Sequence, residues 1–329
     1  MTALLANFHL ERPRDVETAV AIRGAHHDSR FLAGGSDLIV NMRRGIGTPD
    51  VLIDLTGIDE LGKLSVDDGG IRIGAGVTVA ALGEKTVIRQ KYSAVAEAAI
   101  AIAGAGHRAM ATIGGNLCLD TRCIYYNQSQ WWRQANGFCL KHQGKICHVA
   151  PQGQRCHAAF SGDLAPALMV LGGTVEIAGP AGRRRVPLGD LYVEDGAAHL
   201  TLGAQDLIVA VHLPANPPPS AYRKVRTRGA VDFPLAGVAV ALAVARGKVA
   251  ALRIGLTGTN ARPFLLTGTE VFAGQPVDDD ALQRLDKLVQ KQVQPMRTTV
   301  ASAHYRRLAA AALTRRLAAM LFACAGSAP

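Results

Sequence analysis

The pattern of hydrophobic and polar positions changes period several times along the chain, and each change predicts an element. "DVETAVAIRG" sets apolar residues at helical spacing behind Asp15, a side chain suited to cap the first turn. "RFLAGGSDLIVNMRRG" predicts a strand, a glycine turn and a helix, and "DVLIDL" a short buried strand. The first 55 residues therefore read as a small α/β unit. From Gly69, "GGIRIGAGVTVAAL" is strand-like, "YSAVAEAAIAIAG" is a helix rich in small residues, and "RAMATIGGNL" sets a glycine pair directly after it. "LAPALMVLGGTVEIAGPAGRRRVPL" predicts a return to strand and turn. The prolines of "NPPPS", Asn216 to Ser220, fit neither helix nor central strand and mark a linker. Beyond it, "AGVAVALAVARGKVAALRIGLTG" predicts two buried strands joined by a turn at Arg246-Gly247. "ALQRLDKLVQKQV" and "YRRLAAAALTRRLAAMLFA" predict helices, the second with arginines opposite its apolar face. No repeat of solenoid period is present.

Composition adds limits. With 329 residues, 49% hydrophobic and 19% charged, the chain has the length for two or three domains and the apolar content for real cores. The longest apolar run, "LAGVAVALAVA" from Leu235, falls short of the roughly 18 residues of a membrane span. "MTALLANFHLERPRD" has neither the basic start nor the long apolar core of a secretory leader. The expectation is a cytoplasmic protein with no membrane partner, in which the "NQS" sequon at Asn127 carries no meaning. The net charge of +10 is scattered in short clusters such as Arg183-Arg184-Arg185, without a basic tail or stripe. That pattern suits solvated surface or partner contact rather than nucleic acid.

Two glycine pairs carry the first candidate chemistry. "LAGGSDL" covers Leu32 to Leu38 and "ATIGGNL" covers Ala111 to Leu117, each with a hydroxyl or amide neighbour. Glycine lets a backbone approach a ligand closely, and exposed N–H groups in such turns form anion-binding nests. Two such loops in one domain suit the two phosphates of a dinucleotide, although each alone is also the sequence of an ordinary tight turn. "GAGHRA" at Gly104 fits a dinucleotide fingerprint in spelling only, because a helix-like segment precedes it where a strand is required. "GAGVTV" at Gly74 lacks the third small residue.

The second candidate is a block from Thr121 to Cys156 that holds both tryptophans and four of the six cysteines. With Cys118 beside it, five cysteines fall in one stretch, while Cys324 lies alone. Disulfides do not suit a cytoplasmic chain, and zinc modules show close C-x2-4-C pairs that are absent here. An iron–sulfur cluster needs four thiolates, but the usual ferredoxin spacings are missing too, so spacing does not decide between cluster and zinc. If the "TIGGN" segment holds phosphate, Cys118 is committed by its backbone, and Cys123, Cys139, Cys147 and Cys156 remain. Five basic residues (Arg122, Arg133, Lys141, Lys145 and Arg155) stand against Asp120 in this stretch, which suits an anionic group. Tyr125, Tyr126, Trp131, Trp132 and Phe138 suit either a shield around it or a small core of their own, and His142, His148 and His157 read as surface residues.

"AGGSDL" and "TIGGN", with "SGDLAPALMVLGG" at Ser161 and "YRKVRTRGAVDFPLAGVAVAL" at Tyr222, resemble the FAD-binding subunit of the molybdenum hydroxylase (xanthine oxidase) family over nearly the whole chain. The resemblance implies an α+β fold: a two-subdomain FAD-binding domain of the vanillyl-alcohol-oxidase/PCMH type over residues 1–215, divided at 55/56, and an α/β domain like that of CO dehydrogenase flavoproteins over 220–329. It implies FAD held by Leu32, Ala33, Gly34, Gly35, Ser36 and Asp37 and by Thr112, Ile113, Gly114, Gly115 and Asn116 around the pyrophosphate and ribose. Asp163 would take an adenosine-side hydroxyl and Lys224 would lie near the isoalloxazine. Ser36 stands where the family often has Thr, which keeps the hydroxyl.

Most of the family lacks the block at about 119–159; it is similar to the insertion of the 4-hydroxybenzoyl-CoA reductase branch. By position that similarity implies a [4Fe–4S] cluster on Cys123, Cys139, Cys147 and Cys156, with Cys118 outside the ligand set. It further implies no catalytic residue on this chain, which would work with a large molybdopterin subunit and a small subunit carrying two [2Fe–2S] clusters in an (αβγ)2 hetero-hexamer. In that branch, active in anaerobic aromatic degradation, the complex removes the phenolic hydroxyl of 4-hydroxybenzoyl-CoA. Electrons pass from a reduced ferredoxin through the cluster and FAD to molybdenum. A basic surface including Arg122 and Lys145 would suit an acidic ferredoxin. The alternatives are the FAD subunit of a related enzyme oxidising a heterocycle or aldehyde, and, from another class, a zinc-stabilised nucleic-acid-binding protein.

Overall fold

The structure, a computed structural model, describes residues 5–326, so residues 1–4 of the segment tested for a leader lie outside the described residues. The chain begins with β1 (His9–Glu11), α1 (Val16–Ala25), β2 (Ser29–Leu32), α2 (Leu38–Arg43) and β3 (Val51–Asp54). The strands form a parallel sheet in the order β1-β3-β2. Parallel neighbours need crossover connections, and the two helices supply them. Asp15 caps α1 as its position predicts, accepting from the Thr18 N–H at 2.7 Å.

A second unit contains β4 (Leu64–Asp67), β5 (Gly70–Gly74), then α3 (Val79–Glu84), α4 (Thr86–Lys91), α5 (Ser93–Ala101), α6 (Ala105–Met110) and α7 (Ile113–Leu117). It continues with α8 (Gln130–Ala135), α9 (Leu164–Val170), β6 (Thr174–Gly179), β7 (Gly182–Pro187) and β8 (Leu207–Pro214). Its strands make an antiparallel sheet in the order β4-β5-β8-β6-β7. Two expectations change here. "LAPALMV" is helix α9, not strand: all seven residues are buried, and an apolar run without period does not tell a buried helix from a buried strand. The second glycine pair is not an open loop either, because it lies inside α7, whose cap Thr112 accepts from Gly115 N–H at 3.1 Å.

The third unit is an antiparallel sheet of β9 (Ser220–Val225), β10 (Ala236–Ala245), β11 (Lys248–Thr257) and β12 (Phe264–Leu265), followed by α10 (Asp279–Gln292) and α11 (Ala303–Gly326). The β10–β11 turn has both Arg246 and Gly247 at positive φ, the signature of a tight hairpin. The unbroken apolar run of β10 has a simple cause. Val238, Val240 and Leu242 enter the core under α10 and α11, while Ala239 and Ala241 enter the core of the second unit. Among the described residues α11 alone is long and apolar enough to cross a membrane, with a best-window mean hydropathy of 1.5, which the expectation of no span-length apolar stretch missed. Here it packs on β10, and its fully buried Arg306 donates to the carbonyl oxygens of Leu235 and Met296 at 2.9 and 2.5 Å and to the Thr298 hydroxyl at 3.0 Å.

The cysteine-rich block leaves this frame through a narrow neck. Arg122 and Ala159 exchange backbone hydrogen bonds of 2.7 and 2.9 Å. Between them α8 is the one regular element among the described residues. The block is tied outward to two units: Ile124 N–H donates to Thr298 O at 3.0 Å, and the Arg133 guanidinium donates to Gly45 O at 2.8 Å.

Candidate cofactor sites

A cavity of about 1010 Å³ runs between the first two units and reaches the neck of the block and the loop before β10. Ala33, Gly34, Gly35, Ser36 and Asp37 line it, with Thr112, Gly114, Gly115, Asn116 and Asp163. Leu32, Ile113 and Lys224 do not. The two glycine segments touch: a Cβ on Gly34 would fall on the Met110 carbonyl oxygen, and one on Gly114 would come within 2.9 Å of the Ala75 Cβ. They differ in what they offer a ligand. Among the described residues, the backbone N–H groups of Gly34, Gly35 and Ser36 donate to no backbone acceptor of this chain, and Gly35 has φ +67. That is the form of an anion nest. In the second segment the N–H groups of Ile113, Gly114 and Asn116 already bond Val77 O, Ala75 O and Thr112 O. Gly114 serves close packing against Ala75, and Gly115 N–H is taken by the Thr112 hydroxyl, so this segment offers the cavity no open nest.

Sequence reasoning missed Arg122 as part of this cavity. Its side chain is 11% exposed, is ion-paired with Asp37 of the first glycine segment, and stacks 4.7 Å from the Phe233 ring centroid. Its Nε is buried without a partner among the described residues. Arg122 therefore faces the cavity and is not the surface docking residue that charge counting suggested. Lys145 is exposed.

Asp163 and Lys224 are brought together, but on each other. The ammonium lies 3.0 Å from the carboxylate, both side chains are under 5% exposed, and the Tyr222 hydroxyl donates to the same carboxylate at 2.6 Å. Burial raises the Asp163 carboxyl above the usual carboxylate range, against the lowering pull of Lys224 and Tyr222. An isolated buried cation is costly, so Asp163→Asn is expected to destabilise the protein by about 3–5 kcal/mol, with Asp163→Asn/Lys224→Met recovering part of the loss. Chemical denaturation of the two variants checks this; equal losses would show that the ion pair is not the source.

The second site is in the block. Cys123, Cys139, Cys147 and Cys156 converge on one small void with Tyr125, Tyr126, Lys141 and His148. Cys118 lines the large cavity instead. Burial raises the Cys123 thiol and pushes Cys156 up to about 12, so these groups stay neutral unless a cation binds and inverts the balance. Among the described residues no three His, Cys, Asp or Glu side chains are arranged to hold a single metal ion. The void between the thiols is about 10 Å³, the room of one water, so seating a cluster requires the thiols to turn outward. The surroundings fit an anionic group. Arg133 is 2% exposed; its Nη2 donates to Gly45 O and Gln130 Oε1, while its Nε and Nη1 have no partner among the described residues, so the buried charge is only partly satisfied.

His148 also departs from the surface reading: its Nε2–H donates to Phe138 O at 2.5 Å, and its ring stacks on Tyr125 at 5.1 Å. Trp131, 75% exposed, shields nothing. A tight turn brings Gly144 against Cys139, where a Cβ would come within 2.6 Å of the Cys139 nitrogen.

An open amide nest facing a cavity of this size, between a parallel α/β unit and an antiparallel sheet, defines a nucleotide-cofactor-binding protein. The comparisons make the class specific. The profile for the FAD binding domain in molybdopterin dehydrogenase matches residues 6–216, and that for the CO dehydrogenase flavoprotein C-terminal domain matches 220–321. The chain belongs to the family of FAD-binding subunits of molybdenum hydroxylases, the CO dehydrogenase/xanthine oxidase family. It is 37% identical to the aldehyde oxidoreductase FAD-binding subunit of Escherichia coli K12 over 64% of this chain and 70% of that one. It is 28% identical to the carbon monoxide dehydrogenase medium chain of Afipia carboxidovorans over 94% of this chain and 95% of that one. Its fold matches a chain of the crystal structure of the Cu,Mo-CO dehydrogenase with a TM-score of 0.80 at 27% identity, covering 97% of this chain and 99% of that one.

Proposed function

We propose that this chain is an electron-transfer subunit that carries a [4Fe–4S] cluster on Cys123, Cys139, Cys147 and Cys156 beside its FAD, within a molybdenum enzyme whose substrate binds on another subunit. The carrying observation is that four cysteines from one insertion meet at a single void whose wall, Tyr126 and Lys141, is also wall of the large cavity. When bound, FAD exchanges one or two electrons and a cluster exchanges one, so together they join a one-electron partner to a two-electron reaction. The residues of this chain hold and insulate the two groups. Gly34 to Ser36 offer free amides to the pyrophosphate, and Arg122 places a buried guanidinium on the same wall. Arg133, stacked on the Tyr126 ring that forms part of the void's wall, adds a buried cation whose Nε and Nη1 have no partner among the described residues, which supports an anionic occupant.

For the reaction of the whole complex, the insertion supports reductive dehydroxylation of 4-hydroxybenzoyl-CoA with ferredoxin as donor. The relatives favour a second reading, oxidation of an aldehyde or heterocycle with electrons leaving through this chain. The 37% identical relative is an aldehyde oxidoreductase subunit, and another is the nicotine 6-hydroxylase medium subunit of Paenarthrobacter nicotinovorans. On either reading the partners are a large molybdopterin subunit and a small [2Fe–2S] subunit. Turnover of the purified complex separates the two: aldehyde-dependent dye reduction supports the oxidative reading, and benzoyl-CoA formed from 4-hydroxybenzoyl-CoA with a strong reductant supports the reductive one. A purified chain that takes up one zinc, no iron and no flavin would overturn both.

A further inference from the structure

Tyr126 and Lys141 line both cavities, so they form the partition between them. The Lys141 side chain is 5% exposed. Its ammonium donates to Asp120 Oδ1 at 2.6 Å and to the Thr121 hydroxyl at 2.5 Å, and it lies 4.5 Å from the Tyr126 ring centroid. Arg133 stacks on the same ring at 5.8 Å. Tyr126 is thus flanked by two buried cations. Asp120 lines the large cavity and not the cysteine void, whereas Lys141 lines both. The Lys141 side chain is therefore part of both walls, while its ion-pair partner Asp120 stands on the flavin side alone.

We propose that Lys141, fixed in this partition by Asp120 and Tyr126, is the positioning residue that tunes the reduction potentials of the groups on both sides of the wall. The inference rests on the reading of the four cysteines as cluster ligands. Reduction adds negative charge. A fixed cation at a buried position favours the reduced form and raises the potential, because charge near a redox group is one of the levers a protein has on it. The interaction is strong because the site excludes water, and a fully solvated lysine would be screened. Asp120 acts with the opposite sign, chiefly on the flavin side.

The test is a potentiometric titration of the flavin- and iron-replete protein, followed by visible absorbance and low-temperature EPR. Lys141→Met is expected to lower both midpoints, Lys141→Arg to leave them near wild type, and Asp120→Asn to raise the flavin midpoint most. Opposite signs for Lys141→Met and Asp120→Asn are a response that a purely structural role does not give. Unchanged midpoints in Lys141→Met, or shifts of the same sign in both variants, overturn the proposal. Should Lys141→Met fail to fold, Asp120→Asn decides: a raised flavin midpoint supports the proposal and an unchanged or lowered one overturns it. A wild-type chain that takes up no iron on anaerobic reconstitution with iron and sulfide sinks the cluster reading itself, a result distinct from iron-replete protein with unmoved potentials.

Discussion

Gly34→Ala is expected to lose FAD. The new methyl group would fall on the carbonyl oxygen of Met110, a backbone atom fixed between α6 and the cap of α7. A flexible side chain could move aside; this backbone cannot without shifting one glycine segment off the other. Overpacking of a rigid contact costs about 1–3 kcal/mol or more. Here the relief would come from the nest formed by Gly34, Gly35 and Ser36, so affinity for FAD is expected to fall by roughly a hundredfold or more. Gly106→Ala is the control. A Cβ there meets nothing within 4 Å, and the position is inside α6, where alanine is the better helix former. Flavin fluorescence titration of the two apoproteins reads the difference. Equal affinities would mean that the first glycine segment does not hold the cofactor.

Cys139→Ser is expected to remove most of the iron and leave FAD bound. A serine hydroxyl is a poor replacement for a thiolate that must carry charge into a cluster, and Cys139 sits at the closest turn of the block, against Gly144. The neck made by Arg122 and Ala159 does not depend on Cys139, so the large cavity should survive. Cys118→Ser should keep the iron, since Cys118 lines the flavin cavity. Loss of both cofactors in Cys139→Ser would make the block part of the fold, and loss of neither would refute the ligand assignment. Metal analysis and the visible spectrum of each purified variant decide.

Much of the fold was legible where the pattern was local. The Asp15 cap, the strand–turn–helix around Gly34 and the hairpin at Arg246-Gly247 follow from side-chain chemistry and periodicity within a few residues. Helix α9 was not legible, because burial on every side erases the period that marks an amphipathic helix. Cys123, Cys139, Cys147 and Cys156 meet at one void and Cys118 lines the large cavity, the grouping the resemblance implied. The phosphate premise that set Cys118 apart in the sequence does not hold, because the amides of the second glycine pair are taken. The sorting of charges within the block was not legible. Arg122, Arg133 and Lys141 look like surface cations in a basic stretch, yet all three are buried, each against a partner or ring supplied from elsewhere in the fold or the block. The second glycine pair shows the same limit: the sequence cannot say whether an amide is free, and here Val77 and Ala75, more than 30 residues upstream, have taken the amides of Ile113 and Gly114.

The central claim is that the block from Thr121 to Cys156 binds an iron–sulfur cluster next to the flavin. The most direct measurement is the ratio of iron, acid-labile sulfide and FAD in the protein purified without exposure to oxygen. The account predicts about four irons and four sulfides for each FAD. Flavin with no iron, or with a single zinc, would contradict it.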